Sequence, residues 1–205
     1  MTKNLILMIV LTVLQSAISF GQTSPPPQIT NNSSPETKKS ASFNPADLVG
    51  LKGQAAPQFV LPSMDRTEYN LENLRGKIVV VNLWGTFCAP CMVELPELNR
   101  LVEKYKNKNV VFLAPAPDGK TDLEVFLQKH PFNYQVLPNA FAVIKDYAPR
   151  RQSDDPQKKG GFMMLLPTHL VIDQNGFVTY HTWGYGKKTA KNLSAEIDRL
   201  LNKSK

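Results

Sequence analysis

The chain has 205 residues, 42% of them hydrophobic and 20% charged, a balance that fits one ordinary domain with a tail and excludes collagen-like, coiled-coil and wholly disordered chains. Lys and Arg exceed Asp and Glu by 24 to 17, yet the basic pairs Arg150-Arg151, Lys158-Lys159 and Lys187-Lys188 are dispersed and carry no interleaved aromatic stripe, which argues against nucleic-acid binding. Only Cys88 and Cys91 occur, so a scaffold of several disulfides is excluded and the sulfur chemistry is confined to one short motif.

Met1 to Gly21 read as a secretory signal: Lys3 supplies the positive start, Leu5 to Leu14 form an apolar run broken only by Thr12, and Ser19 and Gly21 put small residues before the cleavage point. The run is short for a bilayer span. Left uncleaved, it would act as an anchor and still hold the remainder outside the cytoplasm. No cysteine follows it, which argues against a lipoprotein. Residues 22–45, with Pro25-Pro26-Pro27 and Asn31-Asn32-Ser33-Ser34, lack the apolar content to fold and predict a flexible tether.

The globular pattern begins at about Ala46 and gives one domain over 46–205. Lys77 to Trp84 is an almost unbroken β-branched run, the signature of a buried central strand. Past Gly85-Thr86, the apolar spacing of Val93, Leu98, Leu101, Val102 and Tyr105 predicts a helix over Ala89 to Lys106. Asn109 to Ala114 reads as a second buried strand. Thr121 to Lys129 reads as a helix capped by Thr121 with Glu124 three residues on, and His130 as its end cap before Pro131. Asn133 to Leu137 predicts a short strand and Ala140 to Tyr147 a helix. Thr168 to Asp173 and Phe177 to Trp183 flank Asp173-Gln-Asn-Gly176, a hairpin signal, and Thr189 to Asn202 closes the chain as an amphipathic helix. This order predicts an α/β fold, a mixed sheet with helices on both faces, its early strands parallel and its last hairpin antiparallel.

Cys88-Ala-Pro-Cys91 sits where a buried strand hands over to a helix. Free backbone N–H groups and the helix dipole there stabilise a thiolate, which makes Cys88 the expected nucleophile. Cys91, one turn on and facing inward, can attack a mixed disulfide on Cys88 and release the reduced substrate. Pro90 stiffens the ring without the loss of a hydrogen bond. A zinc half-site would need further ligands from His130, His169 or His181, whose spacing matches no familiar zinc pattern. An inert disulfide closing so short a loop would add little stability.

Trp84-Gly-Thr-Phe-Cys-Ala-Pro-Cys91, followed by Glu94 and Pro96, resembles the exported or membrane-tethered thioredoxin-like thiol–disulfide oxidoreductases of the TlpA/ResA type, which belong with the alkyl hydroperoxide reductase and thiol-specific antioxidant relatives of thioredoxin. The resemblance runs from Gly53-Gln-Ala-Ala-Pro-Gln-Phe59, similar to the family's opening hairpin, to Leu166-Pro-Thr-His-Leu-Val-Ile-Asp-Gln-Asn-Gly176. It implies a thioredoxin-like fold with an N-terminal hairpin and an extra inserted helix and strand. It also implies a cis Pro167 against the cysteines, backbone at Leu166 open to β-augmentation by an extended substrate segment, and Trp84, Phe87, Pro90, Pro167 and Thr168 at the substrate site with it. No cofactor beyond the Cys88–Cys91 disulfide is implied. The implied partners are disulfide-bearing proteins, apocytochrome c among them, and a membrane thiol donor of the DsbD/CcdA type.

Asn82 stands where thioredoxins carry a buried acid, while Glu94, three residues after Cys91, offers a carboxylate near the pair that could take the Cys91 proton. The alternative for Glu94 is a solvated first-turn glutamate that only favours the helix dipole. Pro96 should kink the helix. Phe87 replaces the family's usual Trp, keeping the apolar rim but losing an indole N–H. Trp84 fits a packing role beside the cysteines or a plain core role equally well. His169 reads as facing either solvent or the site. The polar stretch Ala148 to Gly161 reads as a partner-contacting loop or a solvated insertion.

The leading reading is an exported reductase of protein disulfides, with cytochrome c maturation as one pathway. An oxidase or isomerase is the alternative within the same chemistry. A non-enzymatic copper carrier using Cys88, Cys91 and His169 is the alternative outside it, although copper carriers on this fold usually place three residues between their cysteines. Peroxidase chemistry is disfavoured because Val81 to Cys88 lacks the required proline.

Overall fold

The computed structural model describes residues 48–151 and 163–203. The signal segment over 1–21, the tether over 22–45 and most of the polar loop expected at 148–161 therefore lie outside the described residues.

The domain is organised on a five-stranded sheet whose strands lie in the order Gln135–Leu137, Val110–Pro115, Ile78–Leu83, Thr168–Ile172 and Val178–Trp183. Its centre, β4 (Ile78–Leu83), is buried at every position, as its β-branched run requires. Helix α1 (Ala89–Tyr105) follows β4 and leads to β5 (Val110–Pro115), which lies parallel to it; α2 (Lys120–Lys129) then leads to β6 (Gln135–Leu137), parallel to β5. After α3 (Phe141–Tyr147), the chain returns through β8 (Thr168–Ile172), antiparallel to β4, and β9 (Val178–Trp183), antiparallel to β8. Gly176, at φ +81°, closes the turn between the last two strands, a conformation that a side chain would oppose. The domain ends on α4 (Thr189–Lys203).

Side chains alternate across the sheet and divide the core in two. Ile78, Val80, Phe112 and Val171 face α1 and α4, whereas Val79, Val81, Leu113 and Leu170 face α3. Each such apolar side chain contributes roughly 1.5–3 kcal/mol by leaving water. Helices α1 and α4 are further joined at Tyr105, whose hydroxyl donates to Asp198 at 2.7 Å.

Short pieces cover the edges. β1 (Leu48–Val49) pairs with β7 (Arg150–Arg151), and β2 (Val60–Pro62) forms a hairpin with β3 (Glu68–Asn70). The hairpin thus follows Gly53–Phe59 rather than containing it. That segment instead runs beside the start of β9, with Gly53 N–H donating to Val178 O at 2.7 Å and Val178 N–H to Gln54 O at 2.9 Å. The Tyr147 hydroxyl fastens it to α3 through Pro57 O at 2.6 Å.

Two local expectations are corrected. The N-cap of α2 is Gly119, with no side-chain cap bond, and Thr121 lies inside the first turn. Glycine is itself an acceptable N-cap, and the first turn gains its favourable negative charge from Asp122. β6 starts at Gln135 rather than Asn133, because the Asn133 N–H is turned away to the Asn99 side chain at 2.8 Å. His130 does end α2, its N–H bonded to Phe126 O at 3.0 Å. Helix α1 runs on through Pro96.

Candidate active site

The end of β4 delivers the chain into a tight handover. Trp84 N–H still bonds to Pro115 O at 3.3 Å, and the Cys88 N–H then bonds back to Gly85 O at 3.0 Å, which turns the chain into the helix. A Cβ at Gly85 would lie 2.7 Å from the ring of exposed Phe87, which would have to swing aside. The segment is also held sideways, with Thr86 bonded through its N–H and its hydroxyl to the carboxylate of Asp118.

Cys88 is the N-cap of α1, in extended backbone, and its sulfur accepts the Cys91 N–H at 3.3 Å. Pro90 occupies the first turn without loss of an intrahelical bond. Cys88 and Cys91 are joined as a disulfide. Cys88 is 6% exposed and Cys91 1%, so the first is the more accessible of the two. On reduction, the sulfur at position 88 is the one that caps the helix N-terminus and meets the Cys91 N–H, the environment that favours a thiolate.

The Leu166–Pro167 bond is cis. Thr168 pairs in register with Leu83, so Pro167 is brought to the end of β4 from which the cysteine motif departs. Pro167 O accepts Gly184 N–H at 2.8 Å, which ties this corner to the segment leading into α4. Phe87 at 63%, Tyr185 and Met164 are exposed on the segments flanking the pair, and Pro90 is exposed as well.

Three of the residues expected to meet the substrate, Trp84, Pro167 and Thr168, are buried. Trp84 is fully buried, its indole N–H donating to Ala114 O at 3.3 Å and its ring packed against Phe126 and Phe132, so it forms a floor under the cysteines. Thr168 is fully buried too, its hydroxyl turned to Leu165 O. Of that expected set, Phe87, Pro90 and Leu166 keep exposed or half-exposed surface, and Pro167 is buried.

Glu94 is 5% exposed and is therefore not a solvated first-turn glutamate. Its Oε2 lies 2.8 Å from His169 Nε2, and its Oε1 accepts Gly186 N–H at 3.4 Å. His169 is fully buried and faces neither solvent nor the exposed rim. Asn82, directly opposite His169 across β4 and β8, is buried as well. Burial, with the added repulsion of a charge on Glu94, pushes the Tyr134 phenol proton affinity up. A polar cluster thus lies one turn along α1 from Cys91. The resemblance named Glu94 and Asn82; His169 escaped assignment, although it shares the inward parity of Val171.

A thioredoxin-type sheet with a Cys-x-x-Cys disulfide capping the helix after its central strand, and a cis-proline brought to the same corner, defines a thiol–disulfide oxidoreductase. Residues 52–181 match the AhpC/TSA family, and the chain belongs to it, as a thioredoxin-like protein of the TlpA/ResA type. It is 30% identical over 151 residues to the thiol-disulfide oxidoreductase ResA of Bacillus thuringiensis subsp. konkukian, covering 72% of this chain and 78% of that one. Among solved structures it resembles a candidate thiol:disulfide interchange protein DsbE of Chlorobium tepidum, with TM-score 0.58, 26% identity, and 73% of this chain and 97% of the other covered. A thioredoxin family thiol:disulfide interchange protein from Chlorobium tepidum TLS shares the fold, with TM-score 0.57, 21% identity and coverage of 72% and 95%. No helix among the described residues is long and apolar enough to cross a membrane.

Proposed function

We propose that the protein is an exported reductase of protein disulfides, in which Cys88 is the nucleophile, Cys91 the resolving thiol and Glu94 the proton acceptor. The observation that carries this reading is the difference between the two sulfurs: Cys88 caps α1 and accepts the Cys91 N–H, while Cys91 is buried in the core, one helical turn before the buried Glu94. The Cys88 thiolate attacks one sulfur of the substrate disulfide, and the other substrate sulfur leaves with the bond's electrons. Cys91 then gives its proton to Glu94 and attacks Cys88 Sγ; the bond from Cys88 to the substrate breaks and the second substrate thiolate departs. The substrate has gained two electrons and the Cys88–Cys91 disulfide has formed.

The signal-like start of the sequence supports export, with residues 22–45 as a spacer to the domain beginning at about residue 46. Exposed Phe87 and half-exposed Leu166 give an apolar rim suited to an extended protein segment. In an oxidising compartment the dithiol must be restored by a membrane thiol donor, for which the DsbD/CcdA type is suited, and apocytochrome c cysteines are a fitting substrate. A copper-carrier reading is less well supported, because the Nε2 of His169 is already engaged by Glu94.

The test is equilibration of the full mature chain against defined thiol buffers. A Cys88–Cys91 potential of about −270 mV or below supports a reductant, whereas a value near −120 mV overturns the direction and makes the protein an oxidase.

A further inference from the structure

The reading above leaves His169 without a task. It is the short contact of a carboxylate that water scarcely reaches: Glu94 Oε2 meets His169 Nε2 at 2.8 Å, against 3.4 Å for the Gly186 N–H on the other oxygen. A buried carboxylate with no donor is driven toward its protonated form, in which it can no longer accept a proton. The second ring nitrogen of His169, Nδ1, has no hydrogen-bond partner among the described residues. An imidazolium would leave a buried N–H unpaired at that atom, so the arrangement favours a neutral ring that carries its proton on Nε2 and donates it to Glu94.

We propose that His169 is a positioning residue of the thiol–disulfide reaction: its Nε2–H holds the Glu94 carboxylate in place, one helical turn from Cys91, during resolution. This rests on the reading of Glu94 as proton acceptor. In the step itself the Cys91 S–H bond breaks, the proton passes to Glu94, and the freed electron pair forms the bond to Cys88 Sγ. The bond between Cys88 Sγ and the substrate sulfur breaks, and its electrons leave with the substrate thiolate. His169 donates a hydrogen bond throughout and loses no proton.

Few other groups bear on the pair. Tyr134, before β6, presents a phenol whose proton is held more firmly by burial. Asn82 on β4 presents an amide whose Oδ1 is unpartnered among the described residues. His181 on the neighbouring β9 feels the charge His169 would carry if protonated. The buried side chains of α4 are Thr189, Leu193, Ile197 and Leu200, none of them charged, and α1 adds Cys91 and, further along the helix, the Tyr105 phenol.

The test uses the reduced mature protein and an aromatic disulfide whose thiol absorbs when released. Attack by Cys88 frees one chromophore and resolution by Cys91 frees the second, so the second phase followed against pH reports the Glu94-dependent step. H169Q and H169N separate reach from bulk: the Gln amide can extend to the place of Nε2, whereas the Asn amide stops near Nδ1. H169N is expected to displace the midpoint of the second-phase profile upward by about one pH unit and H169Q to restore it. E94Q is expected to lose that limb of the profile. Wild-type profiles in both His169 variants, or equal displacement in both, overturn the role of His169 while an altered E94Q leaves Glu94 in place. A wild-type profile in E94Q removes Glu94 from the reaction and His169 with it.

Discussion

Asp118 and Thr86 are joined twice: one carboxylate oxygen of Asp118 accepts the Thr86 N–H at 3.2 Å and the other accepts its hydroxyl at 2.5 Å. The two residues belong to different loops, after β5 and after β4, so the pair pins the approach to Cys88 against the rest of the sheet. The Asp118 carbonyl also accepts the Asn139 N–H at 2.9 Å, which extends the fastening toward α3. D118A is therefore expected to cost about 1–2 kcal/mol of stability, since both bonds end on a charged group that is half-buried. Denaturant titration checks this, and an unchanged midpoint with unchanged slope would show that the loop holds itself.

On the proposed reading, Cys88, the more exposed of the two sulfurs, reacts first. C91S is expected to accumulate a stable mixed disulfide with a protein or peptide disulfide, and C88S to accumulate none. Intact-mass measurement after incubation at neutral pH decides the matter. An adduct of comparable yield on C88S would make Cys91 an entry point and reverse the assignment.

His181 gives the fold an acid sensitivity. Its Nδ1 accepts the Leu51 N–H at 2.8 Å, and burial, with repulsion from His169 were both to be protonated, lowers its pKa from 6.5 to about 4. Between those values the unfolded chain binds a proton that the folded chain refuses. Stability is therefore whole above about pH 6.5 and falls as the pH drops toward 4, by on the order of 3 kcal/mol from this group. H181N keeps an acceptor near the Leu51 N–H and removes the titration. Unfolding free energies measured from pH 7 to 4 should fall less steeply in H181N; parallel curves would remove His181 as the cause.

Gly50 lies against the same imidazole. A Cβ at position 50 would stand 2.5 Å from His181 Nδ1, and the ring is anchored there by the Leu51 N–H. G50A is expected to destabilise by about 1–3 kcal/mol, and much less in an H181A background where the space is free. Additive losses in the double variant would locate the cost elsewhere.

Much of the architecture was legible because single segments carried it. The β-branched run within Lys77–Trp84, the apolar spacing of Leu98, Leu101, Val102 and Tyr105 and the Asp173-to-Gly176 turn each specify an element without help from the rest of the chain, although Val93, counted in the same spacing, stands exposed. The cap of α2 was not so carried, because Thr121 and Gly119 both suit a helix start and the handover from β5 chooses between them. Family likeness located the corner around Trp84 and Thr168 but not their exposure, which depends on Phe126, Phe132 and the packing of other elements. His169 shows the limit most clearly. Its parity on β8 places it inward, yet that a carboxylate from α1 meets it is decided by where the helix crosses the sheet, 75 residues away in sequence.

Cys88 caps the helix and Cys91 lies in the core beneath it, which leaves one doorway for covalent traffic. On the proposed reading, a protein to be reduced and a donor that restores the dithiol would each dock at the same sulfur, so the two visits could not overlap. The turnover this imposes is double displacement: initial-rate plots at several donor concentrations should run parallel, and an excess of either visitor should hold the other off.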